Sequence, residues 1–135
     1  MLTLIRGIPG SGKSTLARLL AERYEGMHFE ADQFFTDRDG NYNWDRNKIR
    51  EAHAWCQEQT EKYLQMEVPV IVSNTFATIK ELNPYFAIAA KFDLVPSVIV
   101  CQNDWGNLHD VPADIIANMK ARFEYNIQSL FEGKK

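Results

Sequence analysis

The chain has 135 residues, 45% hydrophobic and 24% charged, a balance that suits one globular domain with its own core and excludes a disordered chain. A formal net charge of −3 argues against a broad nucleic-acid-binding surface but leaves room for a local basic cleft. Cys56 and Cys101 lie far apart, outside any redox or metal spacing, and the apolar start is broken at Arg6, so a cytoplasmic domain over 1–135 with no membrane segment is expected.

Met1–Ile5 reads as a short buried strand. It runs into Gly7-Ile8-Pro9-Gly10-Ser11-Gly12-Lys13-Ser14, which satisfies the spacing G-x-x-x-x-G-K-[ST] of a phosphate-binding loop. Glycines let backbone N–H groups close around an anion, and the Lys13 ammonium reaches the β- and γ-phosphates. The Ser14 hydroxyl is a hard oxygen suited to Mg²⁺, and Thr15 falls beside the α-phosphate. Leu16, Leu19, Leu20 and Tyr24 recur at helical spacing behind the loop, so strand, loop and helix come in the order the motif requires, with the positive end of the helix dipole at the anion. Gly10, Ser11, Gly12, Lys13, Ser14 and Thr15 are therefore the expected triphosphate site.

A second strand, Met27–Ala31, delivers Asp32 to the strand end where ligands of parallel sheets sit, and a carboxylate there can take a proton from an acceptor hydroxyl or hold a metal-bound water. The polar loop Gln33–Trp44 carries Arg38, Tyr42 and Trp44, a mixture of cation and rings able to stack a base and hold a phosphate. Asp45–Met66 reads as a long helix with Ile49, Ala52, Cys56 and Tyr63 inward, and His53 beside that stripe reads as structural. Val70–Val72 forms a third strand running into Ser73-Asn74-Thr75, polar groups placed to bind an acceptor or a metal-bound water.

Thr78-x-x-Glu81 reads as a capping box for a covering helix, with Asn83 before Pro84 as the alternative start. Leu94–Cys101 is a fourth strand whose unbroken hydrophobicity points to burial on both faces. The loop Gln102–Asp110 contains neither arginine nor lysine. Pro112 opens a last helix with Ile116, Met119, Phe123, Ile127 and Leu130 inward, and the tail from Glu132 is expected to fray.

Gly7–Thr15, Ala31-Asp32, Ser73-Asn74-Thr75 and Val111-Pro112 together resemble the polynucleotide-kinase-like branch of P-loop phosphotransferases. Gly40–Asp45 and Glu51–Trp55 resemble a related branch whose acceptors are not characterised. The resemblance implies ATP and Mg²⁺ as cofactors, Lys13 and Ser14 on the phosphates and metal, and Asp32 as general base toward a 5′-hydroxyl. Three features depart from that pattern: Phe35 replaces an acceptor-binding arginine, Asn74 replaces an aspartate, and the lid loop lacks arginines. An arginine finger contributes about 10³–10⁵ in turnover elsewhere. Arg38, Arg46, Lys48 or Arg50 folding over the cleft, or a partner donating an arginine in trans, is the expected substitute.

These features together predict a three-layer α/β domain with a mainly parallel four-stranded sheet, the first strand central and helices on both faces. The expected function is ATP-dependent transfer to a hydroxyl of a nucleic-acid 5′ end, nucleoside or nucleotide, with Lys13 and Asp32 catalytic and Arg38, Asn74 and Thr75 on the acceptor. A nucleotide-binding switch and a small ATPase are the alternatives.

Overall fold

Two strands buried at every position, β1 (Leu2–Arg6) and β3 (Val70–Asn74), form the centre of the computed structural model, which describes residues 1–102 and 111–132. Alternate side chains of each strand enter opposite layers. Leu2, Leu4, Val70 and Val72 meet α2 (Ile49–Gln65) and α3 (Ile79–Ala90), while Ile5 and Ile71 meet Ala17 and Ala21 of α1 (Lys13–Arg23). Each such fully buried Leu, Ile or Val contributes about 1.5–3 kcal/mol. β2 (Met27–Phe29) and β4 (Ser97–Val100) complete a four-stranded sheet in the order β2-β3-β1-β4, parallel throughout, with helices on both faces as expected.

The register places function at one edge. Arg6 stands opposite both Asn74 and Val100, and Phe29 opposite Val72, so the phosphate loop, Glu30–Asp32, Asn74-Thr75 and Cys101 all leave the sheet at the same end. Loops at the carboxyl ends of parallel strands form a shared crevice.

Several local expectations are corrected by tertiary contacts. β2 stops at Phe29 because the Ala31 N–H donates to Asn74 Oδ1 (2.9 Å) instead of extending the ladder, and Ala31–Phe35, with Asp32, becomes a 3-10 turn. Leu19 and Tyr24 are exposed, since the sheet accepts the small Ala17 and Ala21 at close approach. The α2 stripe is Ala52, Cys56, Thr60 and Leu64, with Thr60 satisfied by donating to the Cys56 carbonyl (2.8 Å) and Ile49 exposed. The helix starts at Ile49, after a 3-10 turn over Arg46–Lys48. β4 is only half-buried because, among the described residues, it pairs with β1 alone. The expected capping box, in contrast, stands: α3 starts after Thr78, whose N–H (2.9 Å) and hydroxyl (3.2 Å) both donate to Glu81, and it accommodates Pro84.

The expected last helix divides. α4 spans Ala113–Arg122, and the chain then leaves helical geometry before a 3-10 turn over Gln128–Leu130. Arg6 explains the break. Its side chain is 0% exposed, Nε donates to the Phe76 carbonyl (2.9 Å), Nη2 donates to the carbonyls of Glu124 (2.6 Å) and Ala77 (3.4 Å), and the guanidinium lies 4.3 Å from the Phe123 ring centroid. The Glu124 N–H donates to the Ala77 carbonyl (2.7 Å). These bonds outcompete continuation of the helix past Arg122, and they tie the segment after α4 to the β3–α3 connection.

Desolvation lowers the Arg6 pKa, with Glu124 and Glu81 opposing the shift, but an arginine remains charged at any ordinary pH. Arg6→Ala removes charge-assisted bonds and leaves a cavity with the Phe76 and Glu124 carbonyls unpaired, while Ala77 keeps the Glu124 N–H. The expected loss is about 3–5 kcal/mol in urea unfolding, read as a lower midpoint at constant slope. A loss below about 1 kcal/mol contradicts the stapling role.

Candidate active site

The phosphate loop takes its shape from glycine. Gly10 and Gly12 hold φ of +84° and +92°, the left-handed region that side chains disfavour, and a Cβ on Gly7 would collide with the Ser11 hydroxyl and crowd the Cys101 carbonyl. The Gly7 N–H donates to the Thr75 carbonyl (3.2 Å), fastening the loop to the end of β3, and α1 starts at Lys13. Gly10, Gly12, Lys13, Ser14 and Thr15 line a cleft of about 860 Å³. Ser11 lies fully buried outside that lining, its hydroxyl without a partner among the described residues.

Lys13 folds back so that its ammonium donates to the Ile8 carbonyl (3.4 Å). Burial pulls its pKa down, and the negative charges of Glu30 and Asp32 partly restore it.

Across the cleft, Asp32 accepts a hydrogen bond from the Tyr42 hydroxyl (2.7 Å). The loop reaches this position by doubling back: Thr36 bridges Tyr42, the Asn43 N–H donates to Phe35 O (2.8 Å), and Asp37 Oδ1 accepts from the N–H groups of Asp39 and Asn41 (2.9 Å each). Partial burial and the adjacent Asp32 carboxylate push the Tyr42 phenol pKa up, so it remains a proton donor. Phe35, Trp44, Ala52 and Ile115 add an apolar wall to the cleft, and the polar His53 ring also lines it.

A third cluster joins the two halves. Glu30 Oε2 accepts hydrogen bonds from the hydroxyls of Ser14 (2.8 Å) and Ser73 (3.1 Å), and His28 Nε2 lies 2.7 Å from Ser73 Oγ. Desolvation lowers the His28 pKa, with Glu30 opposing and Arg18 reinforcing that shift, so the ring is neutral at pH 7. With the Ser73 hydroxyl donating to Glu30, the tautomer that satisfies this contact is the one protonated at His28 Nε2.

The model of the AAA domain family AAA_33 matches residues 2–110. The chain belongs to that family. It is similar to human NEDD4-binding protein 2, with 38% identity over 93 residues, 67% of this chain but only 5% of the relative. Among solved structures, a gluconokinase from Sinorhizobium meliloti 1021 superposes with a TM-score of 0.64 over 90% of this chain and 74% of its own, at 14% identity. The Pnkp1/Rnl/Hen1 complex contains a chain that superposes with a TM-score of 0.62 over 99% of this chain and 42% of its own, at 19% identity. These likenesses show a P-loop kinase-like fold.

In this AAA domain, Asn74 and Thr75 line the cleft, but Asn74 spends Oδ1 on the Ala31 N–H, its Nδ2 lies 3.8 Å from Cys56 Sγ, and Thr75 lends its carbonyl to Gly7. Arg38, Arg46, Lys48 and Arg50 are exposed and stand outside the lining; Lys13 and Arg18 are the cations that line the cleft among the described residues. The arginine-free loop lies, from 103 to 110, outside the described residues, as does the end of the tail at 133–135. Arg18 and Glu30 were not singled out by sequence. Arg18 follows Ser14 by one helical turn, a spacing that could have indicated it; Glu30 needed the β2–β3 register. No helix among the described residues is long and apolar enough to cross a membrane.

Proposed function

We propose that the domain binds a nucleoside triphosphate, ATP by family resemblance, with Mg²⁺ at the phosphate loop and transfers its γ-phosphoryl group to a hydroxyl acceptor beside Asp32. The observation that carries this is one cleft lined both by the glycine-shaped loop with Lys13 and Ser14 and, opposite, by a carboxylate already accepting a hydrogen bond from the Tyr42 hydroxyl. Loop amides, the Lys13 ammonium and the α1 N-terminus stabilise charge developing on the transferring group. Bound Mg²⁺ supplies further neutralisation, and the hydroxyl and carboxylate oxygens of Ser14 and Glu30 are hard donors that fit it.

Asp32 receives the acceptor proton as the acceptor oxygen bonds to phosphorus and the bond to the leaving diphosphate breaks. The acceptor hydroxyl displaces that of Tyr42 on Asp32. The apolar wall with Tyr42 and Trp44 favours a flat ring beside the reacting hydroxyl, as at a nucleoside or the 5′ end of a nucleic acid. Arg18, Arg38 or an arginine contributed in trans by a partner supplies the cation the lid loop lacks, and Asn74 and Thr75 shape the acceptor side.

Incubating the protein with γ-labelled ATP, Mg²⁺ and 5′-hydroxyl RNA, DNA, nucleosides or small alcohols is expected to put label on a ring-bearing acceptor. Label released only as free phosphate identifies an ATPase. Binding without label release identifies a nucleotide-dependent switch, the reading favoured by an Asn74 already committed to the backbone.

A further inference from the structure

The geometry assigns Glu30 as the carboxylate that supports Mg²⁺ at the phosphate loop, from the end of β2 instead of the end of β3. The assignment rests on nucleotide binding as proposed above and specifies which side chain completes it.

β3 ends in Ser73-Asn74 and carries no carboxylate into the cleft. The parallel register compensates: Phe29 stands opposite Val72, so the next residue, Glu30, emerges beside Ser73 and reaches across it to the loop. Its Oε2 accepts from Ser14 at 2.8 Å and from Ser73 at 3.1 Å. The Glu30 side chain is 21% exposed and lines the cleft, so it is open to the ligand while held at its base.

The hydrogen bonding sets what Ser14 can do. A serine hydroxyl has one proton and two lone pairs, and it ligates a cation only when its proton points elsewhere. Glu30 takes that proton and leaves the Ser14 lone pairs for the metal. Its negative charge also favours a cation in water on the open side of the cleft. Ser73 holds Glu30 from the other side, and His28 Nε2 packs 2.7 Å behind the Ser73 hydroxyl. Two hydroxyls, one from the loop and one from β3, thus converge as donors on the same Glu30 oxygen.

The donor set is oxygen and sparse. Among the described residues no group of three His, Cys, Asp or Glu assembles to hold a metal unaided. One carboxylate and one hydroxyl suit Mg²⁺, which keeps several waters and takes further ligands from phosphate oxygens. The cation is therefore expected to bind with the nucleotide and not before it.

Titration calorimetry of the full chain with ATP, once in excess Mg²⁺ and once in EDTA, separates metal support from phosphate grip. For Glu30→Gln, which keeps size and an acceptor oxygen, ATP affinity in EDTA is expected to stay within about twofold, or to rise as a negative charge is removed. The Mg²⁺-dependent gain in affinity should fall at least tenfold, and the bound Mn²⁺ signal of the Mn²⁺–ATP complex in electron paramagnetic resonance should weaken with it. Ser73→Ala, which only loosens Glu30, should lose a smaller part of the same gain. An unchanged Mg²⁺ gain and Mn²⁺ signal in folded Glu30→Gln overturns the assignment while nucleotide binding stands. A wild-type protein that takes up no ATP in either buffer overturns nucleotide binding itself.

Discussion

Lys13→Ala is expected to weaken ATP binding at least a hundredfold, close to abolishing it in calorimetry, while leaving the protein folded. The ammonium sits at the start of α1 inside the cleft, hydrogen-bonded among the described residues to the Ile8 carbonyl at 3.4 Å, and burial lowers its pKa. A lysine whose pKa falls on folding costs stability while charged, a penalty present at neutral pH and relieved as pH rises through the lowered folded-state value. Removing it should therefore leave thermal stability equal or higher. Phosphate oxygens gain from that ammonium in a partly desolvated site, and a hundredfold loss corresponds to about 2.7 kcal/mol, within reach of one charge-assisted contact. The wild-type affinity should also decline at alkaline pH, as the proton leaves Lys13. Binding by Lys13→Ala within threefold of wild type contradicts the role.

Asp32→Asn should retain ATP binding and slow transfer by about 10²–10⁴, the range general-base catalysis commands. The amide is nearly the same size and can still accept from Tyr42, so the loop from Thr36 to Asn43 should keep its fold. What it cannot do is take the acceptor proton. Single-turnover transfer from labelled ATP, measured beside nucleotide affinity on the same preparation, separates the two effects. Normal transfer in the asparagine variant contradicts the base assignment. Tyr42→Phe is the informative companion, since it removes only the hydroxyl that covers the carboxylate and should not reduce binding of the nucleotide.

The phosphate loop was legible in sequence because its chemistry is local: glycine at 10 and 12 permits the positive φ values, and Lys13 and Ser14 follow in the same turn. The sheet was legible because runs such as Leu2–Ile5 and Val70–Val72 are too apolar to face water. Glu30 was not, since its contact with Ser14 arises from the pairing of β2 with β3, which the spacing of residues along the chain does not encode. The end of α4 was hidden for a similar reason. The residues from Phe123 to Leu130 keep helical spacing, and only the buried Arg6, 118 positions away from Glu124, pulls the chain out of the helix. In the distal loop the turn at Gly40 returns Tyr42 to Asp32, while Arg38 stands exposed, and the spacing of residues does not tell those two placements apart.

Isothermal titration of the wild-type chain with ATP, and separately GTP, in magnesium buffer tests the account at its root. A saturable heat of one nucleotide per chain, lost in Lys13→Ala, is the predicted result; a flat titration from protein shown to be folded would contradict it.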